Sequence, residues 1–297
     1  MNLGYVGLGM MGGALARRLQ LSQRLRVYDL RPDRVAALVE RGAVAASDLP
    51  DVARESDVVM TCLPTSQDVQ AAIFEPGGLL EGLRPGSIVA DMTTGDPKVT
   101  QEMSAELASR GITLVDAPVS GGPAGADAGT IAIMVGGPEK TYEELHAVFT
   151  SISPNVFHCG EQVGAGHTMK LVNNVIAAGV RAVTFEAVAM GIKSGLDLAK
   201  LSEVLDKGSA HSFTTQRTLP RLVAGEGTET FALRLMHKDV RLATQRGVDC
   251  GAPMPLAGVV REFLQLALND EDGADRSVNW TLRMNERNAG IRIADVG

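Results

Sequence analysis

The chain has 297 residues, enough for one large domain or two ordinary ones. It is 45% hydrophobic but only 4% aromatic, so its cores must be aliphatic, and a net charge of −7 with no basic block excludes a nucleic-acid partner. Three cysteines, Cys62, Cys159 and Cys250, have neither CxxC nor metal spacing, and the apolar start runs straight into glycines, so a reduced, cytoplasmic protein without a signal peptide is expected.

Residues 2–6 read as a strand, 10–21 as a helix and 25–29 as a second strand. A helix to residue 40 and a buried strand at 57–62 follow. Strands alternating with helices imply a parallel sheet with right-handed crossovers. Between the first strand and helix lies Gly7-Leu8-Gly9-Met10-Met11-Gly12, a G-x-G-x-x-G. In that pattern the first glycine permits the tight turn and the second lets a pyrophosphate approach the backbone. The third lets helix pack on strand, and the helix N-terminus faces the phosphates. Asp29 ends the second strand, where a carboxylate accepts hydrogen bonds from ribose hydroxyls and repels a 2′-phosphate. The spacing therefore points to NAD. Leu30 and Arg31 come next, and Arg31 keeps NADP open, because a guanidinium can stack on adenine or meet a 2′-phosphate.

Two further strand ends, at 62–65 and 91–94, stand where ligands of open α/β sheets collect. Leu63, Pro64 and Thr93 either line the cofactor path there or belong to ordinary turns. Residues 112–116 and 129–137 read as strands around a loop at 116–123. Within that loop Ser120-Gly121-Gly122 exposes a hydroxyl and successive backbone N–H groups, a nest suited to a carboxylate; the same tripeptide also reads as a flexible turn.

A turn at 153–155 and a short strand to Cys159 lead to a domain boundary expected near residue 162. The segment 166–194 reads as one helix of roughly 43 Å, apolar enough to be buried on most faces. Arg181 and Glu186 in its middle disfavour a membrane span, since an arginine there costs about 2.5–3.5 kcal/mol. Lys170, Asn173 and Asn174 are out of place in such a helix, and residues three and four apart share a face. They form either a site, or a lysine reaching water beside asparagines bonded to a neighbouring loop.

Beyond residue 194 the pattern is helical, clearest at 198–205, 238–246, 256–268 and 276–287. His237-Lys238-Asp239 opens the second of these helices or is simply a charged, solvated start. So few helices cannot cover the long one, which predicts a second subunit. The expected architecture is an α/β dinucleotide-binding domain at 1–162 followed by an all-helical domain at 163–297. No His/Asp ligand cluster has plausible metal spacing, so no metal is expected.

Four separated motifs stand in one order: the glycine run from Gly7, Asp116-Ala117-Pro118-Val119-Ser120-Gly121-Gly122, the run from Gly164-Ala165-Gly166-His167 through Lys170 to Asn174, and Lys238-Asp239. In these the chain resembles the 3-hydroxyacid dehydrogenase family, which includes 3-hydroxyisobutyrate dehydrogenase and tartronate semialdehyde reductase, with 6-phosphogluconate dehydrogenase a distant relative. The resemblance implies a Rossmann-like N-terminal domain, a long helix bridging two domains, and a homodimer or homotetramer. It makes Lys170 the catalytic lysine and Asn174 its helix-face partner. Ser120, Gly121 and Gly122 become the substrate-carboxylate loop, with Lys238 reaching toward substrate and nicotinamide.

The implied reaction passes a hydride between NAD(H) and a small 3-hydroxy acid or semialdehyde while Lys170 moves the hydroxyl proton. A lysine of ordinary pKa, ~10.4, is a poor base. Burial and the helix's positive end lower that value, and a substrate carboxylate opposes them. Lys170 also separates this chain from the related imine reductases. The segment 209–213, which should face the cleft, departs from the family's pattern, so the substrate's identity stays open. An imine or 2-keto acid reductase on the same scaffold is the alternative, as is a non-catalytic NAD(H)-binding sensor.

Overall fold

The computed structural model describes residues 1–226, 231–270, 273 and 276–294. Two units emerge, Met1–Lys170 and Leu171–Gly297. The first is built on strands β1 (Leu3–Val6), β2 (Leu25–Tyr28), β3 (Val44–Ala45), β4 (Val58–Thr61), β5 (Ile88–Asp91), β6 (Thr113–Asp116), β7 (Val119–Ser120), β8 (Ala132–Gly136) and β9 (Asn155–Gly160). They form one sheet in the order β3-β2-β1-β4-β5-β6-β8-β7, with β9 beside β8.

Strands β1 to β6 run parallel; β8 is antiparallel to β6 and β7 and parallel to β9. The parallel part has the doubly wound order that leaves its ligand crevice at the strands' carboxyl ends. The register aligns those ends, so that Val6, Tyr28, Thr61, Asp91 and Asp116 stand in one row.

Helices α1 (Met10–Leu19), α2 (Pro32–Val39), α3 (Leu49–Arg54), α4 (Ser66–Phe74), α5 (Pro97–Ala108), α6 (Gly122–Ala128) and α7 (Glu139–Ile152) accompany the strands. All four residues of β1, β4 and β5 are buried, which is why these strands read as unbroken apolar runs rather than alternating ones. One core gathers Leu3, Tyr5, Leu15 and Phe149, the other Val6, Val59, Val89 and Met103. The stretch expected as a plain loop at 116–123 instead holds the two-residue strand β7 and the start of α6. Gly121, at φ 140°, turns the chain between them, and Pro123 fits the first helical turn.

The long helix α8 (Ala165–Lys193) closes the first unit with its opening turns and continues into the second. The second unit adds α9 (Leu198–Lys207), α10 (Leu219–Val223), α11 (Leu233–Cys250), α12 (Pro255–Leu268) and α13 (Thr281–Ala289). Among its described residues the regular elements are helical, apart from one bridge, Ala232 with Ser277. A π-helical turn at Thr214–Thr218 precedes α10.

His237-Lys238-Asp239 does not open a helix as expected. It lies inside α11, which starts at Leu233 because Ala232 is held extended by the bridge to Ser277 and Leu233 is fully buried. Nor is α8 buried on most faces in the single chain. Ala178, Phe185 and Val188 enter two helical cores, but Met169, Val172, Ile176, Val183 and Met190 are exposed. By length and hydropathy α8 could cross a membrane, yet it carries a buried arginine, Arg181, at its middle.

Candidate active site

The glycine run behaves as the spacing predicts. Gly7 adopts φ 91°, and a Cβ there would sit 2.4 Å from the Cys62 carbonyl oxygen. A Cβ on Gly12 would come within 2.0 Å of the Gly7 carbonyl oxygen, so strand and helix meet only because both positions are bare. Gly9 differs: a Cβ there would meet only an Arg34 nitrogen at 3.9 Å, leaving the backbone approachable. Gly9 caps α1 without a side chain, and no acidic residue occupies the first turn, the arrangement a phosphate requires.

Asp29 anchors the rim of this cradle. Its Oδ2 accepts the Leu8 N–H at 2.6 Å and its Oδ1 the Arg31 N–H at 2.8 Å, with an Arg34 guanidinium nitrogen 3.5 Å away. The Arg31 guanidinium is paired with Asp33, and Leu30 and Met10 project outward. Thr93 Oγ1 accepts the Leu63 N–H at 3.0 Å, which joins the ends of β4 and β5; Pro64 beside it is exposed. These residues fit a bound dinucleotide.

Further along the same edge, Gly121 and Gly122 both have positive φ, 140° and 73°, directly after Ser120. Asp116, ending β6, accepts the N–H of Gly164 and of His167 at 2.6 Å each, and so fixes the start of α8. Burial pushes its carboxyl up, against the pull of His167 and of those two N–H groups. The Cys62 thiol is pushed up to about 12, first by burial and then by Asp91. Lys170 lies on the next turn of α8 and is buried, with 7% exposure.

In the second unit, Asn174 donates from Nδ2 to Asp239 Oδ2 at 2.6 Å and accepts from Asn173 Nδ2 at 2.9 Å. Lys238 Nζ lies 3.2 Å from Asp239 Oδ1. Asn174 and Asp239 are buried, so this network fixes which way the Asn174 amide faces. The structure thus joins Asn174 to Lys238 through a carboxylate. Asp239 was visible in the sequence only as the partner letter of Lys-Asp; Arg34, Asp91 and His167 carried no distinguishing signal beyond being polar beside apolar runs.

A glycine cradle at the carboxyl edge of a doubly wound sheet, with a buried amine and a buried amide four residues apart on the helix that follows, defines an NAD(P)-dependent oxidoreductase acting on CH–OH. Residues 2–160 match the NAD binding domain of 6-phosphogluconate dehydrogenase, and residues 164–283 the NAD-binding domain of NADP-dependent 3-hydroxyisobutyrate dehydrogenase. The chain is 35% identical to 2-(hydroxymethyl)glutarate dehydrogenase of Eubacterium barkeri, over 98% of this chain and 97% of that one. It is 35% identical to 3-hydroxyisobutyrate dehydrogenase of Pseudomonas aeruginosa, over 89% and 91%. A solved 3-hydroxyisobutyrate dehydrogenase of Mycobacterium tuberculosis with L-serine superposes with a TM-score of 0.85 at 27% identity, covering 95% of this chain and 98% of that one. The chain belongs to the 3-hydroxyisobutyrate dehydrogenase family of hydroxyacid dehydrogenases.

Proposed function

We propose that the protein interconverts a small 3-hydroxy acid and its semialdehyde with NAD(H), using Lys170 as general acid/base. When bound, the nicotinamide supplies the hydride acceptor or donor. The chain's own residues handle the proton and the carboxylate. Lys170 Nζ takes the substrate hydroxyl proton as the carbonyl forms, and returns it in the reverse direction. Asn174, one turn along the same helix face, holds the hydroxyl through an amide already oriented by Asp239. Ser120, Gly121 and Gly122 grip the substrate carboxylate, and Lys238 is assigned to binding substrate and nicotinamide. Asp29 favours NAD over NADP by repelling a 2′-phosphate. The exposed apolar side of α8 is covered by a second copy of the chain.

The observation that carries this reading is a buried lysine with a buried, anchored asparagine four residues later. Lys170→Ala should abolish turnover and leave NADH binding nearly intact; a wild-type kcat in that variant would refute the role. A substrate panel should then include 3-hydroxyisobutyrate, 2-(hydroxymethyl)glutarate and L-serine with both dinucleotides, beside imines and 2-keto acids. Turnover of the last two alone would overturn the substrate class.

A further inference from the structure

Four charged residues crowd the end of β2, beside the glycine cradle. Asp29 accepts the Leu8 N–H on Oδ2 at 2.6 Å and the Arg31 N–H on Oδ1 at 2.8 Å, so its carboxylate stands between the cradle and the Arg31 backbone. The Arg34 guanidinium lies 3.5 Å from Asp29 Oδ1 and 3.9 Å from the place a Cβ on Gly9 would occupy. Arg34 thus balances the carboxylate that the ribose hydroxyls need. Arg31 adjoins the same carboxylate and carries a planar fork of donors, the group best shaped to take a phosphate.

That fork is already filled. Arg31 Nε donates to Asp33 Oδ1 at 3.2 Å and Nη2 donates to Asp33 Oδ2 at 2.9 Å. Pro32, between the partners, opens α2. A residue before proline is driven to extended backbone, and Arg31 has φ −100° and ψ 109°. Pro32 has its own φ fixed by its ring, so the span joining the two side chains is set before either moves. An exposed ion pair ordinarily contributes little, because ordering two long side chains offsets the attraction. Here the backbone is preset, the aspartate is short and the contact is two-pronged. Their hydrogen bonding holds the Asp33 carboxyl below its ordinary value and the Arg31 guanidinium above its own.

The charges at this corner also cancel, since Asp29 and Asp33 stand against Arg31 and Arg34. A 2′-phosphate, with about two negative charges, would find nothing free to offset the repulsion of Asp29. We infer that Asp33 is a specificity-determining residue: by occupying the Arg31 guanidinium it withholds the cation a 2′-phosphate needs, and so adds to the discrimination of Asp29 against NADP(H). The direction of the effect rests on the proposed NAD preference; its mechanism rests on the ion pair.

Calorimetric titration of the full-length protein with NADH and with NADPH tests this without turnover. Asp33→Ala should tighten NADPH binding by about 10-fold, as one new charge-assisted pair would, and change NADH binding less than about twofold. Asp33→Asn, which keeps the side-chain shape, should shift NADPH in the same direction by less. Arg31→Ala alone should leave NADPH binding within about twofold of wild type, and the double variant Arg31→Ala, Asp33→Ala should match it, because the gain needs the freed guanidinium. Both side chains are 62% exposed, so the variants should keep the fold, which circular dichroism checks.

Unchanged NADPH affinity in both Asp33 variants overturns the inference. So does a gain that survives the loss of Arg31, which would make it a matter of net charge or of Arg34. A large loss of NADPH affinity in Arg31→Ala also overturns it, since the fork would already serve the phosphate. A wild-type protein that binds NADPH as tightly as NADH would defeat the NAD preference, while the comparison of single and double variants still decides the role of Asp33.

Discussion

At Asp239 the local electrostatics are concentrated on one carboxylate, 1% exposed, which receives the Asn174 amide on one oxygen and faces the Lys238 ammonium with the other. Asp239→Asn keeps the shape and removes the charge. Hydrogen bonds to charged groups contribute about 1.5–3 kcal/mol, so kcat/KM is expected to fall by roughly one to two orders of magnitude. Steady-state kinetics with the best substrate of the panel measures this, and a variant within a factor of two of wild type would show that Asn174 is oriented some other way.

Two groups near the glycine cradle carry a pH signature. Cys62 is raised from 9.0 to about 12, and Tyr5 above 10.0, so the native state keeps protons that the unfolded chain releases. Their contribution is intact below the unfolded values and is lost as pH rises toward the folded ones. The unfolding free energy should therefore decline above pH 9, with a shallower slope in Cys62→Ala, as read by urea titration at stepped pH. That Lys170 and Asn174 would be buried was legible in the sequence, because both stand in a run of apolar helix residues. Their supports were not, since Asn174 reaches Asp239 across 65 positions and His167 reaches Asp116 across 51. Long-range hydrogen bonds leave no local pattern.

Elements were legible where local physics is one-sided. Strands β1, β2, β4 and β6 and helix α8 followed from unbroken apolar runs punctuated by glycine, and each was expected within a residue or two of its observed ends, whereas the two-residue β3 was not expected. Where short elements depend on tertiary contacts the sequence was silent. Helix α6, Gly-Pro-Ala-Gly-Ala-Asp-Ala, has too many glycines to announce itself, and α11 begins where a bridge to Ser277 fixes Ala232 rather than at a capping residue. The start of α8 shows the same dependence, because its opening N–H groups are satisfied by a carboxylate from β6 rather than by a local cap. Asp116→Ala would leave two buried N–H groups unpaired and should lower the unfolding free energy by about 2–4 kcal/mol. Denaturant unfolding of the variant tests it, and an unchanged midpoint would mean that the cap contributes nothing.

For the whole molecule, the outward side of α8 is the feature a single chain leaves unresolved. Met169, Ile176, Val183 and Met190 recur every seven residues, the spacing of a helix seam, and all four are exposed along with Val172. Fully burying such a side chain is worth about 1.5–3 kcal/mol, so a row of four presented by each of two copies outweighs the several kcal/mol lost when two molecules become one. The same row could instead face lipid by length and hydropathy alone, but α8 sends Ala178, Phe185 and Val188 into cores of helices, and its Arg181 is buried among protein. Self-association in plain buffer is therefore expected, and light scattering should return at least twice the mass of one chain without detergent. The double variant Ile176→Glu, Val183→Glu places like charges on the seam of each copy and should shift that mass to the monomer while circular dichroism keeps its helical signal. A wild-type protein that scatters as a monomer at micromolar concentration, or a charged variant that remains associated, would remove α8 from the interface.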